Sequence, residues 1–212
     1  MGDTASNIVC SYLGDRLPVV IALLAALSAR HAETADHCWR VARYALRLAD
    51  AYAAQVSIST FCWNEEMRAA MAVGSLLHDV GKLGVADAVL SKAGKLDAAE
   101  RQAIEEHVLI GMQIIHYIPG LQAALPIVSY HHERWDGNGY PHRLSAERIP
   151  ALARLFAIVD TYDAIISRRC YREAADYAIA AEQLTQGAGQ QYDPIMVDTF
   201  LRLPESEWAA LR

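Results

Sequence analysis

The adjacent pair His78-Asp79, followed at once by Val80-Gly81-Lys82, belongs to a chain whose other imidazoles and carboxylates are scattered widely. Glu33 and His37 precede the pair, and His107, His131, His132 and Asp160 follow it. A helical core needs almost none of these groups, and burying five uncompensated imidazoles would cost on the order of several kcal/mol in polar desolvation. A fold that keeps them must bring distant segments together around shared cations, because coordination removes that cost. The spacing therefore predicts a metal-binding interior and, with it, metal-dependent hydrolysis.

The segments that must converge read as helices. Residues 17–55 carry apolar side chains at helical spacing, interrupted around 30–36, with Val41, Tyr44, Ala45 and Leu48 on one buried stripe. Glu33 and His37, four residues apart near the start of the second of these helices, share a face and can reach one ion. Asn64 is placed to cap a helix from Glu65 to Leu77 that ends at His78-Asp79, with Gly81 as its stop signal. After an irregular stretch over 84–96, Asp97-Ala-Ala-Glu100 has the form of an N-terminal capping box, opening a helix to about His116 that carries His107. Pro119-Gly120 ends it, a further helix runs from about Leu121 to His132, and Trp135 to Pro141 reads as a tight loop. Residues 150–167 are helical again, with Asp160 inside an apolar face of Leu155, Phe156, Ile158 and Val159. One more helix, a loop over 187–191 and a terminal helix from about Pro194 complete the chain. No strand signal exceeds four residues, so the expected fold is all-α, a compact helical bundle with the metal centre inside it.

Composition narrows the partners. The 212 residues show no Gly/Ser/Pro-rich linker, which predicts one domain over 18–212 behind an N-terminal extension, 1–17. A net charge of -6 disfavours a nucleic-acid polymer, whereas bound cations would reverse the local field for a small anion. Four cysteines without a CxxC pair suggest free thiols in a reducing cytoplasm. The longest apolar run, Leu17 to Ala29, is short of the ~20 residues a bilayer span needs. With no basic secretory leader at the start, a cytoplasmic protein without a membrane partner is expected. Imidazole and carboxylate donors suit iron or manganese better than structural zinc, and leave nickel, cobalt and catalytic zinc open. Two such ions about 4 Å apart can hold a bridging hydroxide and polarise a phosphoryl oxygen.

The ordered motifs carry a family resemblance. His78-Asp79-Val80-Gly81-Lys82, His107 with Gly111, the run His131-His132-Glu133-Arg134-Trp135-Asp136-Gly137-Asn138-Gly139-Tyr140-Pro141, Asp160-Thr161-Tyr162-Asp163-Ala164 and Tyr192-Asp193-Pro194 are in the chain. Together they resemble the HD-GYP subgroup of HD-domain phosphohydrolases over about residues 18–203. The resemblance implies a helical bundle with two or three divalent metals, which opens cyclic di-GMP to pGpG, sometimes onward to GMP, through a metal-bridging hydroxide. By position, it implies His78, Asp79, His107, His131, His132 and Asp160 as metal ligands, with Asp79 bridging. His37 matches the first ligand of the wider superfamily, and Glu33 matches a carboxylate used for a third metal. Lys82 resembles the lysine that contacts the scissile phosphate and, with Asp79, forms the catalytic pair. Arg169 and Arg172 match arginines that would clamp the second phosphate or a guanine edge, and Tyr140 with Gly139 would shape the ligand wall.

Some positions depart from that pattern. Cys170 stands where proline is usual between the two arginines, Ala86 and Ala93 replace prolines, and Arg143 and Ala146 replace glycines. These changes spare every implied ligand and bear on substrate preference and rate. Two further readings use the same residues: a signalling module that binds cyclic di-GMP without turnover, and a di-iron oxygenase on the same scaffold. The chain has no room for a sensor domain beside the bundle, which leaves open a separate regulatory protein, a fragment of a longer protein, or a free-standing enzyme. A homodimer, and a mixed GMP-AMP cyclic dinucleotide as substrate, stay open.

Overall fold

The computed structural model describes residues 4–30, 34–92, 94–167 and 176–212. Among these residues the regular structure is helical, with one isolated bridge between Ala188 and Tyr192 and no named strand. In chain order the α-helices are α1 (Thr4–Ser11), α2 (Leu17–Arg30), α3 (Thr34–Gln55), α4 (Glu65–Leu77), α5 (Asp87–Leu90) and α6 (Ala98–Glu105). They continue with α7 (His107–Tyr117), α8 (Leu125–Tyr130), α9 (Ala151–Ile166), α10 (Tyr177–Gly187), α11 (Pro194–Arg202) and α12 (Glu205–Ala210).

Local chemistry sets the helix starts. The Asn64 side chain accepts from Met67 N at 2.9 Å and opens α4. Asp97 and Glu100 form a reciprocal capping box at α6, each side chain accepting from the other's backbone N–H. Asp193 caps α11, whose first residue, Pro194, has no N–H to satisfy.

Several boundaries differ from the sequence expectation, among them the terminal helix, which is divided into α11 and α12. The helix expected to run unbroken to about His116 is divided at Glu106 into α6 and α7. The 3-10 turn Val80–Gly84 presses on the start of α7, so closely that a Cβ on Gly81 would lie 1.8 Å from the His107 carbonyl oxygen. Tertiary packing thus overrides local helix continuity. The segment from Leu121 begins as a 3-10 turn, Gln122–Ala124, before α8, because Pro126 in the first turn of α8 cannot donate to a longer helix. The stretch 84–96, expected to be irregular, contains the single turn α5.

Helix α3 is the spine of the bundle, packed against α4, α9, α11 and α2. Its residues Val41, Tyr44, Ala45, Leu48, Ala49 and Tyr52 form the stripe read from the sequence, and Ala42, Arg43 and Leu46 are buried as well, so the middle of α3 is enclosed all round. From Ala70 to Leu77 helix α4 is enclosed all round, every residue there being buried. That explains its small side chains: a Cβ on Gly74 would meet Ile127 Cδ1 of α8 at 2.7 Å. Val9 and Leu13, at the N-terminal end, belong to the same core as α3 and α9. In the same core Trp208 stacks on Phe200 at 4.3 Å between centroids and meets Tyr162 and Tyr44 nearby. Truncating Trp208 to alanine would cost about 3–5 kcal/mol by cavity formation. Among the described residues no helix is long and apolar enough to cross a membrane. Cys10, Cys38 and Cys62 are free thiols, and Cys170 lies outside the described residues.

Candidate metal centre

Helix α4 delivers His78 at its C-terminal end and Asp79 directly after it, both buried. Helix α7 contributes His107 from its first turn, the end of α8 contributes His131 and His132, α3 contributes His37, and α9 contributes Asp160. Seven of the donors named from the sequence thus converge into two groups, Asp79 with His107, His131 and His132, and His37 with His78 and Asp160. Within each group the ligand atoms lie within 4.8 Å of one another. The groups adjoin: His78 Nε2 is 3.2 Å from Asp79 Oδ2, while Asp79 Oδ1 is 3.3 Å from His107 Nε2 and 4.0 Å from His131 Nε2. Asp79 therefore presents one oxygen to each side, the geometry a bridging carboxylate needs. Glu33, Arg169 and Arg172 lie outside the described residues.

The imidazoles are locked by their outer nitrogens. His78 Nδ1 donates to Ser75 O at 2.9 Å, His107 Nδ1 to Ile104 O at 2.6 Å, and His131 Nδ1 to Ile127 O and Val128 O at 3.1 and 3.2 Å. A carbonyl can only accept, so each Nδ1 carries the hydrogen and each Nε2 of the neutral ring keeps a lone pair facing inward. The consequence is sharpest between His107 Nε2 and His131 Nε2, which face each other at 3.4 Å. Two acceptors at that distance repel unless a cation or proton lies between them. Burial lowers the pKa of His107 and pushes that of His131 well down, and it takes His132 to about 4, so these rings reject the proton. A cation fits this donor set.

His37 is held differently. Its Nδ1 donates to Asp163 Oδ2 at 2.7 Å, and its Nε2 is 3.2 Å from Asp160 Oδ1. Burial alone would lower its pKa, but hydrogen bonds to Asp160 and Asp163 outweigh that and raise it to about 9. Asp163 is itself buried and is gripped by Arg40, with Nε 2.7 Å from Oδ1 and Nη2 2.9 Å from Oδ2; Arg40 also donates to Ser167 Oγ at 3.1 Å. Burial pushes the two inner carboxylates up, but the surrounding cationic and imidazole groups prevail. Lys82 and His78 hold Asp79 well below the usual range, and His37 and His78 lower Asp160. Both stay ionised. Lys82 ion-pairs with Asp79 Oδ2 from the turn after it, and its pKa is raised: Asp79 overcomes the effect of burial.

The loop after His132 forms one wall of a cavity of about 320 Å³ that opens onto His131, His132 and Asp160. Tyr140 stacks on His132 at 4.7 Å between centroids, and its N–H donates to His132 O at 3.2 Å. Gly139 is required beneath it, because a Cβ there would lie 2.4 Å from Arg134 N and 2.6 Å from His132 O. The buried Glu133 carboxylate ties the loop down by accepting from His142 N at 2.7 Å and Leu144 N at 2.9 Å. Arg143 and Ala146, which stand where the resemblance has glycine, adopt φ of 54° and 53°. For residues with a Cβ that left-handed backbone costs about 1–2 kcal/mol each.

Sequence reasoning assigned no role to Asp163, Arg40 or Glu133. The available signal for Asp163 was its place three residues after Asp160, on the same face of an apolar helix. Arg40, three residues after His37, gave a similar hint.

Comparison with known proteins bears on this arrangement. The HD domain family matches residues 20–196. A cyclic di-GMP phosphodiesterase of Vibrio cholerae is 37% identical over 193 residues, covering 88% of this chain and 39% of that protein. A 3'3'-cGAMP-specific phosphodiesterase 2 of the same organism is 37% identical over 185 residues, covering 86% of this chain and 34% of its own length. The chain thus spans well under half the length of these relatives. Among solved structures, Bd1817, an HDG"Y"P protein from Bdellovibrio bacteriovorus, superposes with a TM-score of 0.58 at 18% identity, over 78% of this chain and 50% of that one. At that identity the likeness speaks to the fold alone.

Proposed function

We propose that this chain, which belongs to the HD domain family, is a metal-dependent phosphodiesterase of cyclic dinucleotides of the HD-GYP kind that its motifs resemble, with residues 18–212 as the catalytic domain. The observation that carries the metal requirement is the pair of inward-facing Nε2 atoms of His107 and His131, 3.4 Å apart, each with Nδ1 committed to a carbonyl. The substrate class is supported by relatives named for cyclic di-GMP or 3'3'-cGAMP.

His37, His78, Asp79, His107, His131, His132 and Asp160 would hold two divalent ions, iron or manganese, with Asp79 between them. When bound, the ions supply an acidified water as nucleophile and neutralise charge on the phosphoryl group. The protein's own part is positioning and electrostatics. Lys82, cationic and partly exposed beside Asp79, is placed to stabilise the negative charge that develops on the equatorial oxygens. Tyr140, braced on His132, and Gly139 line the cavity that receives the dinucleotide. With cyclic di-GMP the expected product is pGpG, and Arg169 and Arg172 are assigned to the second phosphate or a guanine edge.

The test is turnover. Protein loaded anaerobically with ferrous iron or manganese is incubated with cyclic di-GMP and with 3'3'-cGAMP, and the products are separated by chromatography. Linear dinucleotide is expected; intact substrate with each of several metals would end the proposal.

A further inference from the structure

Arg30 is the last residue of α2, where a cation would ordinarily do no more than complement the helix dipole. Its guanidinium instead turns onto the segment that carries Lys82. Nη1 donates to Lys82 O at 3.4 Å and to Leu83 O, Nη2 donates to Val85 O at 2.9 Å, and Nε donates to Asp87 Oδ1 at 3.2 Å. A second ion-pair contact runs from Nη2 to Asp87. Three main-chain carbonyls and a carboxylate are thus gathered by one planar fork, which a lysine could not reproduce.

The same segment is also packed against α7. A Cβ on Gly81 would collide with the His107 carbonyl, and one on Gly84 would lie 2.9 Å from Ile110 Cδ1. The turn Val80–Gly84 is therefore held by both α7 and Arg30, and Lys82 of this turn ion-pairs with Asp79. The proposed metal donors come from α3, α4, α7, α8 and α9, and none of them hydrogen-bonds to Arg30 among the described contacts.

We propose that Arg30 is a positioning residue that holds the Lys82 turn against the metal centre and acts on catalysis only through Lys82. The inference rests on the phosphodiesterase reading for its kinetic readout. In Arg30→Ala, kcat should fall about 100-fold, the penalty a misplaced catalytic group of ~1 Å incurs, with KM changed by less than about threefold. Metal content per chain should stay at the wild-type value. Arg30→Lys, which keeps the charge but loses the fork, should recover little of the loss. In a Lys82→Ala background, Arg30→Ala should have no further effect. Full rescue by lysine, multiplicative losses in the double variant, or loss of metal would each overturn the assignment.

Hydrogen exchange supplies an arm that needs no turnover. In Arg30→Ala the amides of residues 80–87 should lose at least about tenfold protection while those of α4 and α7 stay unchanged. Unchanged protection over 80–87 would overturn the inference even for a protein that hydrolyses nothing. A wild-type protein without turnover but with the expected exchange pattern would sink the enzyme reading and leave the clamp standing.

Discussion

The two donor groups flanking Asp79 are built on opposite terms. In the His107/His131/His132 group, burial keeps the rings neutral, and backbone carbonyls orient His107 and His131. In the His37/His78/Asp160 group, His37 is flanked by two carboxylates that raise its pKa to about 9, and a side-chain relay through Asp163 and Arg40 holds it. The first group is therefore ready for a cation at neutral pH. The second must first release a proton from His37, so its occupancy should depend on pH, and the orientation of His37 depends on side chains that mutation can remove.

The largest expected effect belongs to the residue common to both. Asp79→Ala should lower turnover by at least about 10³-fold and strip metal from both groups, because each loses a carboxylate oxygen. Elemental analysis reads the metal; one ion retained at full affinity would show that Asp79 serves only one side. Asp163→Asn should separate the groups. Loss of the partner that orients a ligating histidine costs about 10–100-fold in metal affinity, and here it should act on one ion only. Titration calorimetry should then resolve one unchanged site and one weakened site, whereas equal weakening would erase the distinction drawn here.

The metal-free protein offers a pH test. His132, depressed to about 4, binds fewer protons folded than unfolded between there and 6.5, so stability is lost as pH falls across that window. His37, raised to about 9, binds more protons folded, so its contribution is present below 6.5 and is lost as pH rises toward 9. Each limb is on the order of 3 kcal/mol. Urea unfolding of chelator-treated protein should be most stable near pH 6.5, with His37→Ala removing the alkaline limb alone. Loading with metal should also abolish that limb, because the cation replaces the His37 proton. The smallest effect is a control: Arg143→Gly or Ala146→Gly should stabilise by about 1 kcal/mol, relieving left-handed strain against the entropy cost of glycine, and leave both metal affinities unchanged.

Much of this arrangement could be read from the sequence where the signal is local. Asn64, the Asp97/Glu100 box and Pro194 announce helix starts through bonds within three residues, and those starts fall where expected. The seven donors were recognisable because imidazoles and carboxylates on apolar helix faces demand compensation. What stayed hidden depends on distant partners. Asp163 meets Arg40 across 123 residues of chain, and Arg30 meets Val85 across 55, distances over which helical periodicity carries no information. The division of α6 from α7 at Glu106 went unread for the same reason, since the turn that packs there lies more than twenty residues earlier.

His78, His107 and His131 take their orientation from peptide carbonyls of Ser75, Ile104, Ile127 and Val128. No codon change deletes a peptide oxygen. Point substitution thus has few ways to twist these three rings short of replacing them or breaking a helix, whereas the aspartate and arginine behind His37 are single-step targets. A lineage drifting toward inactivity would be expected to fray first at that relay, leaving a half-intact cage that still captures one ion.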